Sequence, residues 1–310
     1  MKGSTALVVA VAILVLMIAP IPSSARKPDN QGWPLYVNVE QDGKLVTGLT
    51  AANFRVFLDD HGQEFEVQPP DTPASIVLVV EYSRRSAPFL EEIRNALQGF
   101  LDHAPEDNWY ALVTFDRETN IVVDFTKDKG EIRTGLMRLP EPMWNEINSY
   151  DAIKNILERT ARLSGRRVII FVGSGLDTLS RVSLDDVEKQ LDAADVSIYS
   201  LGAGSALRTS YEPYLDISTK MDLMSARAFL TMLSDRTGGD AWFPNFEIGF
   251  HDAMEGVMQE LATQYKLAVK GAIPDDGRRH KIKVEAFTIT NDKRKNFKVR
   301  VREAIHRPLT

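Results

Sequence analysis

An uninterrupted apolar run at residues 76–80 ends in the acidic residue Glu81 and is followed by a loop that carries Ser83. An apolar run of this length, rich in β-branched residues, is typical of a strand buried on both faces, as in a parallel sheet covered by helices. The amphipathic stretch 88–101 predicts the first of those helices. In open sheets of this class, ligands bind just beyond the carboxyl ends of the strands. We therefore expect the functional site near Glu81 and Ser83.

Strands and helices alternate along the middle of the chain, which predicts a doubly wound, mostly parallel α/β domain over residues 73–263. The predicted strands are residues 109–115, 121–125 (antiparallel to its neighbour), 167–172, 196–201 and 241–243. The predicted helices are residues 150–164, 183–194 with Ser183 as N-cap, 225–237 and 248–263. Residues 205–224 are predicted to be a long connection, which either forms a protein contact through its aromatic and methionine residues or serves as a pliable cover.

Both flanks of this α/β segment show the alternating patterns and turn sequences of antiparallel strands. Neither flank, residues 33–70 or residues 264–305, is long enough to enclose a hydrophobic core alone. We therefore expect both flanks to combine into one small, discontinuous β-sandwich, with the α/β domain inserted between its strands. Prolines at 69, 70 and 73 mark the first boundary.

Composition excludes several classes of function. The chain has no cysteine, which excludes disulfides, thiolate zinc sites and cysteine nucleophiles. Its five histidines show no metal-ligand spacing. The formal net charge of −6 argues against a general nucleic-acid binder.

The N-terminal residues predict export. Lys2 precedes an apolar run at residues 6–19, and small residues follow up to Ala25, which is the pattern of a signal peptide over residues 1–25. An uncleaved membrane anchor over residues 6–22 is the alternative, because the run is close to the shortest length that spans a bilayer. Both interpretations place the rest of the chain in the periplasm or outside the cell.

The sequence Glu81-Tyr-Ser83-Arg84-Arg85-Ser86 resembles the first metal-site loop of von Willebrand factor A (VWA) domains, where the pattern is Asp-x-Ser-x-Ser. The resemblance follows the order of elements over residues 75–263. Flanking sequences at 46–59, 237–243 and 264–265 resemble exported acidobacterial proteins related to this family. The resemblance implies an adhesion or protein-interaction module and not an enzyme. It also implies a site for Mg²⁺ or Mn²⁺, formed by oxygen ligands from three loops.

The chain departs from most of the five ligand positions that the resemblance implies. Ser83 is kept, Glu81 replaces an aspartate, and Arg85 takes the position of the second serine. Ile147 takes the threonine position of the second loop, and Ser174 the aspartate position of the third. Because a guanidinium repels a divalent ion, we expect a degenerate site without a conventional metal. The alternative is an adhesion module that holds Mg²⁺ or Mn²⁺ through Glu81 and Ser83.

The loss of metal ligands coincides with a gain of two positive charges, Arg84 and Arg85, in the first loop. We hypothesise that one of these arginines pairs with Glu81 and receives an acidic group of a partner without metal. The partner is expected to be a protein or a cell-surface ligand, and not a nucleic acid. The candidate partner-binding residues, all in or beside the three loops, are Glu81, Ser83, Arg84, Arg85, Ile147, Ser174 and Asp177.

Two further patterns leave alternatives open. The segment 278–307 contains eleven basic and three acidic residues, a local net charge of +8. Its charged residues alternate with uncharged ones along the predicted strands 280–288 and 295–302. This pattern predicts a solvated face, with anchoring on an anionic surface as the functional alternative. A hydrolase that uses Glu81 and Asp177 is the alternative from another class, although Val172 interrupts a nucleophile-elbow pattern at the third loop.

Overall fold

The structure, a computed structural model, describes residues 32–203, 216–245 and 247–307. The predicted signal segment and residues 205–215 of the predicted connection lie outside them. The first strands are β1 (Trp33–Gln41), β2 (Lys44–Leu45), β3 (Phe54–Leu58), β4 (His61–Gln63) and β5 (Phe65–Gln68). The next are β6 (Ser75–Glu81), β7 (Trp109–Phe115), β8 (Thr119–Thr126), β9 (Arg167–Gly173), β10 (Ser197–Gly202) and β11 (Ala241–Trp242). The last are β12 (Tyr265–Val269), β13 (Arg279–Thr290), β14 (Lys293–Asn296), β15 (Lys298–Arg300) and β16 (Ala304–His306).

Six strands form the central sheet in the order β11-β10-β9-β6-β7-β8. Neighbouring strands are parallel except β8, which runs antiparallel to β7. The central strand β6 is buried on both faces because its side chains alternate between two hydrophobic clusters. Ile76 and Leu78 pack in one cluster, and Val77 and Val79 pack in the other. The predicted α/β fold class is confirmed.

Helices cover both faces of this sheet. The cluster around Leu78 includes residues of α1 (Leu90–His103), α2 (Lys129–Met137) and α6 (Glu247–Thr263). The opposite cluster includes residues of α3 (Ser149–Thr160), α4 (Leu184–Ala193) and α5 (Ile217–Thr237). The predicted N-cap Ser183 is confirmed, since its hydroxyl accepts a hydrogen bond from Asp186 N at 3.2 Å. No helix in the described part of the chain is long and apolar enough to cross a membrane.

The flanking strands form two antiparallel sheets, in the orders β15-β1-β12-β5 and β14-β13-β3-β4, with β2 beside β1 and β16 beside β13. Each sheet combines strands from both flanks, because β1 pairs with β12 and β3 pairs with β13. A shared hydrophobic cluster contains Leu35 and Leu267 of one sheet and Val56 and Val284 of the other. The two flanks thus need each other, while the predicted residue boundaries of the domains stay a prediction.

Charged side chains connect the antiparallel sheets to the amino edge of the central sheet. Arg300 contacts Glu40 at 2.7 Å, Asp240 at 3.2 Å, and also Glu260 near the end of α6. Arg302 is buried and donates a hydrogen bond to the backbone carbonyl of Asp192, on α4, at 2.9 Å. The prediction of a solvated face is therefore wrong for Arg300 and Arg302, which pack against the α/β segment.

Three elements differ from the sequence-based expectation. The helix predicted at 225–237 begins at Ile217, so the end of the predicted connection is helical. Its N-cap is Asp216, which accepts a hydrogen bond from Thr219 N at 2.7 Å. The strand predicted at 295–302 is divided at Phe297, because β14 pairs with β13 and β15 pairs with β1. The helix α2 has no counterpart among the predicted helices.

Candidate functional site

The first loop, residues 82–86, follows β6 at the carboxyl edge of the central sheet. Glu81, the last residue of β6, is fully buried. Its Oε1 accepts a hydrogen bond from Ser83 Oγ at 2.8 Å, and Ser83 Oγ accepts one from Ser86 N at 3.2 Å. Ser83 N in turn donates to Ser86 Oγ at 3.1 Å. Both serines therefore point inward and order the loop around the carboxyl group of Glu81.

The third loop, residues 174–180, follows β9, which lies beside β6 in the sheet. Ser174 donates two hydrogen bonds to Glu81 Oε2, from its backbone N and from its Oγ, each at 2.6 Å. Gly173 leaves room for this contact, since a Cβ there would lie 3.0 Å from both Cβ and Oε2 of Glu81. The side chain of Glu81 thus connects the first and third loops.

Burial raises the pKa of Glu81, because a fully buried carboxylate loses its hydration. The hydrogen bonds from Ser174 and Ser83 and the positive charge of Arg85 act in the opposite direction, since each favours the charged form. The pKa is raised overall because burial is the largest of these effects. The carboxyl group of Glu81 is thus held by hydrogen bonds from inside the protein and has no contact with solvent.

Arg84 and Arg85 are exposed at the tip of the first loop. The backbone N of Arg84 donates to the carbonyl of Trp144 at 2.8 Å, which ties this loop to the second one. The guanidinium of Arg117 stacks on the Trp144 ring at 3.6 Å from its centroid. Among the described ion pairs, none joins Glu81 to either arginine, so the hypothesised pairing is not formed. Both guanidinium groups are instead open to solvent.

The second loop, residues 144–148, joins the third loop through contacts of its own. Ile147, at the threonine position, is buried in the hydrophobic cluster beneath the loops. Its backbone N donates to Thr178 Oγ1 at 2.9 Å, and its carbonyl accepts from Thr178 N at 2.7 Å. The Asp177 carboxylate accepts hydrogen bonds from Tyr150 N at 3.1 Å and from Ser180 Oγ at 2.5 Å. Asp177 thus binds the start of α3.

The seven predicted site residues differ in what they can touch. Arg84 and Arg85 are exposed, and Asp177 is half-buried. Four are buried and make internal contacts: Glu81, Ser83, Ile147 and Ser174. Partner binding by these seven residues stays a prediction. The four buried residues could contribute to it only by shaping the loops. Trp144 and Gly173 were not among the predicted site residues, and a glycine at the end of a buried strand was the only local signal for either of them.

Exposed apolar side chains also lie at the carboxyl edge. Leu179 in the third loop is 68% exposed. Ile217, Met221 and Met224 recur at helical spacing on the first turns of α5 and are 80%, 62% and 62% exposed. The same helix turns its side chains toward the core only from Ala226 onward. Grouped apolar side chains on a surface often mark a site of protein interaction.

The basic segment 278–307 is largely neutralised within the chain. Its ion pairs are Arg278 with Asp276, Arg279 with Asp192, Lys283 and Arg294 with Glu285, Lys298 and Arg300 with Glu40, and Arg302 with Asp195. Within the described residues, Lys281, Lys293, Lys295 and Arg307 have no such pair. Anchoring on an anionic surface stays a prediction, and it depends on fewer charges than the sequence indicates.

A divalent cation does not fit the donor set of the three loops. Mg²⁺ requires near-octahedral oxygen coordination. The loops direct one carboxyl group inward, that of Glu81, and it already accepts three hydrogen bonds. Ile147 offers no side-chain oxygen, and the charge of Arg85 acts on Glu81. In the described ranges, no three His, Asp or Glu side chains are grouped so that they could hold a metal ion.

Residues 76–176 match the profile of the von Willebrand factor type A domain family. This part of the chain is a von Willebrand factor type A domain. The matched residues run from β6 to the third loop and include both ends of the contact between Glu81 and Ser174. The VWA resemblance is thus confirmed, whereas the finer resemblance to exported acidobacterial proteins stays a prediction. Comparison with curated proteins found no match.

Several solved structures resemble this chain. Proximal thread matrix protein 1 from the mussel byssus shares 11% identity at a TM-score of 0.48, over 62% of this chain and 49% of that one. The vWF domain of a type V pili tip protein from Porphyromonas gingivalis shares 14% identity at a TM-score of 0.44, over 66% of this chain and 98% of that one. A von Willebrand factor type A protein from Catenulispora acidiphila shares 8% identity at a TM-score of 0.48, over 90% of this chain and 75% of that one. The chain spans about half the length of the mussel protein.

Proposed function

We propose that this chain is an exported, non-catalytic binding module that contacts a protein or cell-surface partner through the carboxyl edge of its VWA domain. VWA domains mediate protein–protein interactions. Export rests on the signal-like residues 1–25, and it implies a periplasmic or extracellular location. Retention through residues 6–22 is the alternative form of the same proposal.

The observation that carries the proposal is the division of charge in the first loop. Glu81 is buried and hydrogen-bonded from within, whereas Arg84 and Arg85 are exposed above it. The loop therefore offers guanidinium donors to the outside and keeps its carboxylate inside. A guanidinium binds a carboxylate through two parallel hydrogen bonds, so the partner group that fits best is acidic.

Apolar side chains extend this contact surface. Leu179, Ile217, Met221 and Met224 add exposed apolar area at the same edge. Methionine side chains adapt to irregular partner surfaces, and arginine and methionine are both enriched in protein interfaces. The combination suits a partner segment that carries acidic and apolar residues.

The contacts of the two candidate acids argue against the hydrolase alternative. Glu81 has no exposed surface, and its oxygens are taken up by Ser83 and Ser174. Asp177 binds the backbone at the start of α3 and the hydroxyl of Ser180. A general acid or base must reach a substrate proton within hydrogen-bond distance. The buried Glu81 does not reach the surface, and the half-buried Asp177 carboxylate is engaged by its own loop and by α3.

The proposal is tested with synthetic peptides that carry Glu and Leu, compared with the same peptides carrying Gln in place of Glu. Binding to the purified protein is measured by biolayer interferometry. We expect the Glu peptides to bind and the Arg84→Ala/Arg85→Ala variant to bind at least about tenfold more weakly. Hydrogen bonds to charged groups contribute about 1.5–3 kcal/mol, and 1.4 kcal/mol corresponds to tenfold.

The matched control is Arg159→Ala/Arg162→Ala, which removes two exposed arginines at the end of α3, on the amino edge of the sheet. This variant should bind the Glu peptides like the wild type. Equal loss in both double variants would reduce the effect to net charge and contradict the proposal. Equal binding of the Glu and Gln peptides would contradict it as well.

A further inference from the structure

We propose that Glu81 takes the place of the metal ion in this VWA domain, because its carboxyl group holds the first and third loops together through hydrogen bonds and without a cation. We call the three hydrogen bonds from Ser83 Oγ, Ser174 Oγ and Ser174 N the Glu81 bridge. The inference concerns how the loops are held in place. It does not depend on which partner they bind.

The residues at both ends of the Glu81 bridge fit each other. Glutamate is one methylene longer than the aspartate that the family resemblance implies, and its carboxyl group reaches the third loop directly. Gly173 provides the space, because any Cβ there would lie 3.0 Å from Oε2. An aspartate at position 174, which the resemblance implies, would bring a second negative charge to Oε2. Ser174 brings two donors instead.

The serine hydroxyls are oriented as donors. Ser83 Oγ accepts from Ser86 N at 3.2 Å, and Ser174 Oγ accepts from Leu176 N at 3.2 Å. A hydroxyl group has a single proton, so each serine that accepts from its own loop directs that proton to Glu81. The carboxyl group thus receives three donors and is shielded from water, where hydrogen bonds are strengthened by the low local dielectric constant.

The Glu81 bridge makes the order of both loops independent of divalent ions. This consequence is tested by amide hydrogen exchange of the purified protein with MgCl₂ alone, with MnCl₂ alone and with a chelator. We expect peptides covering residues 82–86 and 174–180 to exchange at the same rate in all three conditions. Slower exchange of either loop at millimolar MgCl₂ or MnCl₂ would overturn the inference.

Variants separate the Glu81 bridge from ordinary packing of each loop. Ser174→Ala removes one donor from the third loop, and Ser83→Ala removes one from the first. If the two loops are held by the same carboxyl group, each variant accelerates exchange in both loops. The expected increase is about fivefold, as for loss of a hydrogen bond of about 1 kcal/mol. Acceleration confined to the loop that carries the substitution would overturn the inference.

A third variant and a control complete the test. Glu81→Gln keeps the shape of the side chain but turns one acceptor into a donor, which faces either Ser83 or Ser174; we expect it to accelerate exchange in both loops. The control is Ser234→Ala, which removes a buried hydroxyl that donates to Ser200 Oγ at 2.9 Å, away from the loops. It should leave both loops unchanged. If Glu81→Gln does not fold, the two serine variants still decide.

Discussion

A substitution of Glu260 tests the contact with Arg300 that joins the antiparallel sheets to the VWA domain. Burial raises its pKa to about 8; Arg300 opposes this shift, and the acids Asp240 and Glu40 support it. Asn38 Nδ2 donates to Glu260 Oε2 at 2.9 Å, while Asn38 Oδ1 is buried without a partner among the described residues. A flip of the Asn38 amide would place Oδ1 where a protonated Glu260 can donate to it. We therefore expect Glu260→Gln, which imitates the protonated form, to fold.

The magnitude of the effect follows from the difference in pKa. The pKa of an unperturbed glutamate is 4.5, so between these two pKa values the folded protein binds more protons at Glu260 than the unfolded chain does. The free energy of unfolding of the wild type therefore falls as the pH rises, by at most about 1.4 kcal/mol per pH unit. From pH 5 to pH 7 the fall amounts to about 2–3 kcal/mol, and it ends above pH 8.

The Gln variant lacks this proton, so its free energy of unfolding relative to the wild type should rise by about 2–3 kcal/mol from pH 5 to pH 7. Urea unfolding at pH 5, 6, 7 and 8, followed by circular dichroism, measures this difference, in which other titrating groups cancel. Glu255→Gln, at an exposed position of the same helix, is the control and should show no such rise. A Glu260→Gln difference constant within about 0.5 kcal/mol would refute the reasoning. It would mean that Arg300 keeps Glu260 ionised throughout.

Two further substitutions test other contacts. His280 lies between Asp59 at 2.6 Å and Asp276 at 2.9 Å, and the hydrogen bond with Asp59 raises its pKa. Its stabilising effect is therefore complete below about pH 6.5 and is lost as the pH rises through the raised value, so thermal unfolding should show His280→Gln to be more costly at pH 6 than at pH 9. An equal loss at both pH values would contradict this. Gly175→Ala should cost about 1–3 kcal/mol in urea unfolding, because φ is +77° and a Cβ would lie 2.5 Å from a carbonyl oxygen of α5. Gly43→Ala, with the same φ but open space, should cost less, and an equal cost would rule out the contact with α5 as the cause.

The central strand and the position of the loop that follows it could be predicted because their signals are local. The apolar run 76–80 and its acidic end predict both the strand and the edge of the sheet at which we expect a partner to bind. The start of α5 was not predicted because its exposed side is apolar. Ile217, Met221 and Met224 face solvent there, so the first turns lack the polar outer face by which an amphipathic helix is recognised. The capping residue Asp216 was its only local signal.

Contacts between distant residues could not be predicted in the same way. Glu81 and Ser174 are 93 positions apart, and their contact depends on how closely two loops approach. Alternation also places Arg300 and Arg302 on one side of the chain, but it does not show what covers that side. Here the cover is the α/β segment, whose acids Glu260 and Asp195 pair with these arginines.

The location of these pairs determines which end of the VWA domain is left for a partner. Glu260 near the end of α6 and Asp195 just before β10 both lie at the amino edge of the central sheet, where the antiparallel sheets are joined. Arg84 and Arg85 follow the carboxyl end of β6, at the opposite edge. Basic residues from the C-terminal flank are thus used to join the two parts, whereas the arginines of the first loop have no such role. A partner that binds at the carboxyl edge would meet two exposed guanidinium groups that form no ion pair among the described residues, which is the physical reason to expect an acidic one.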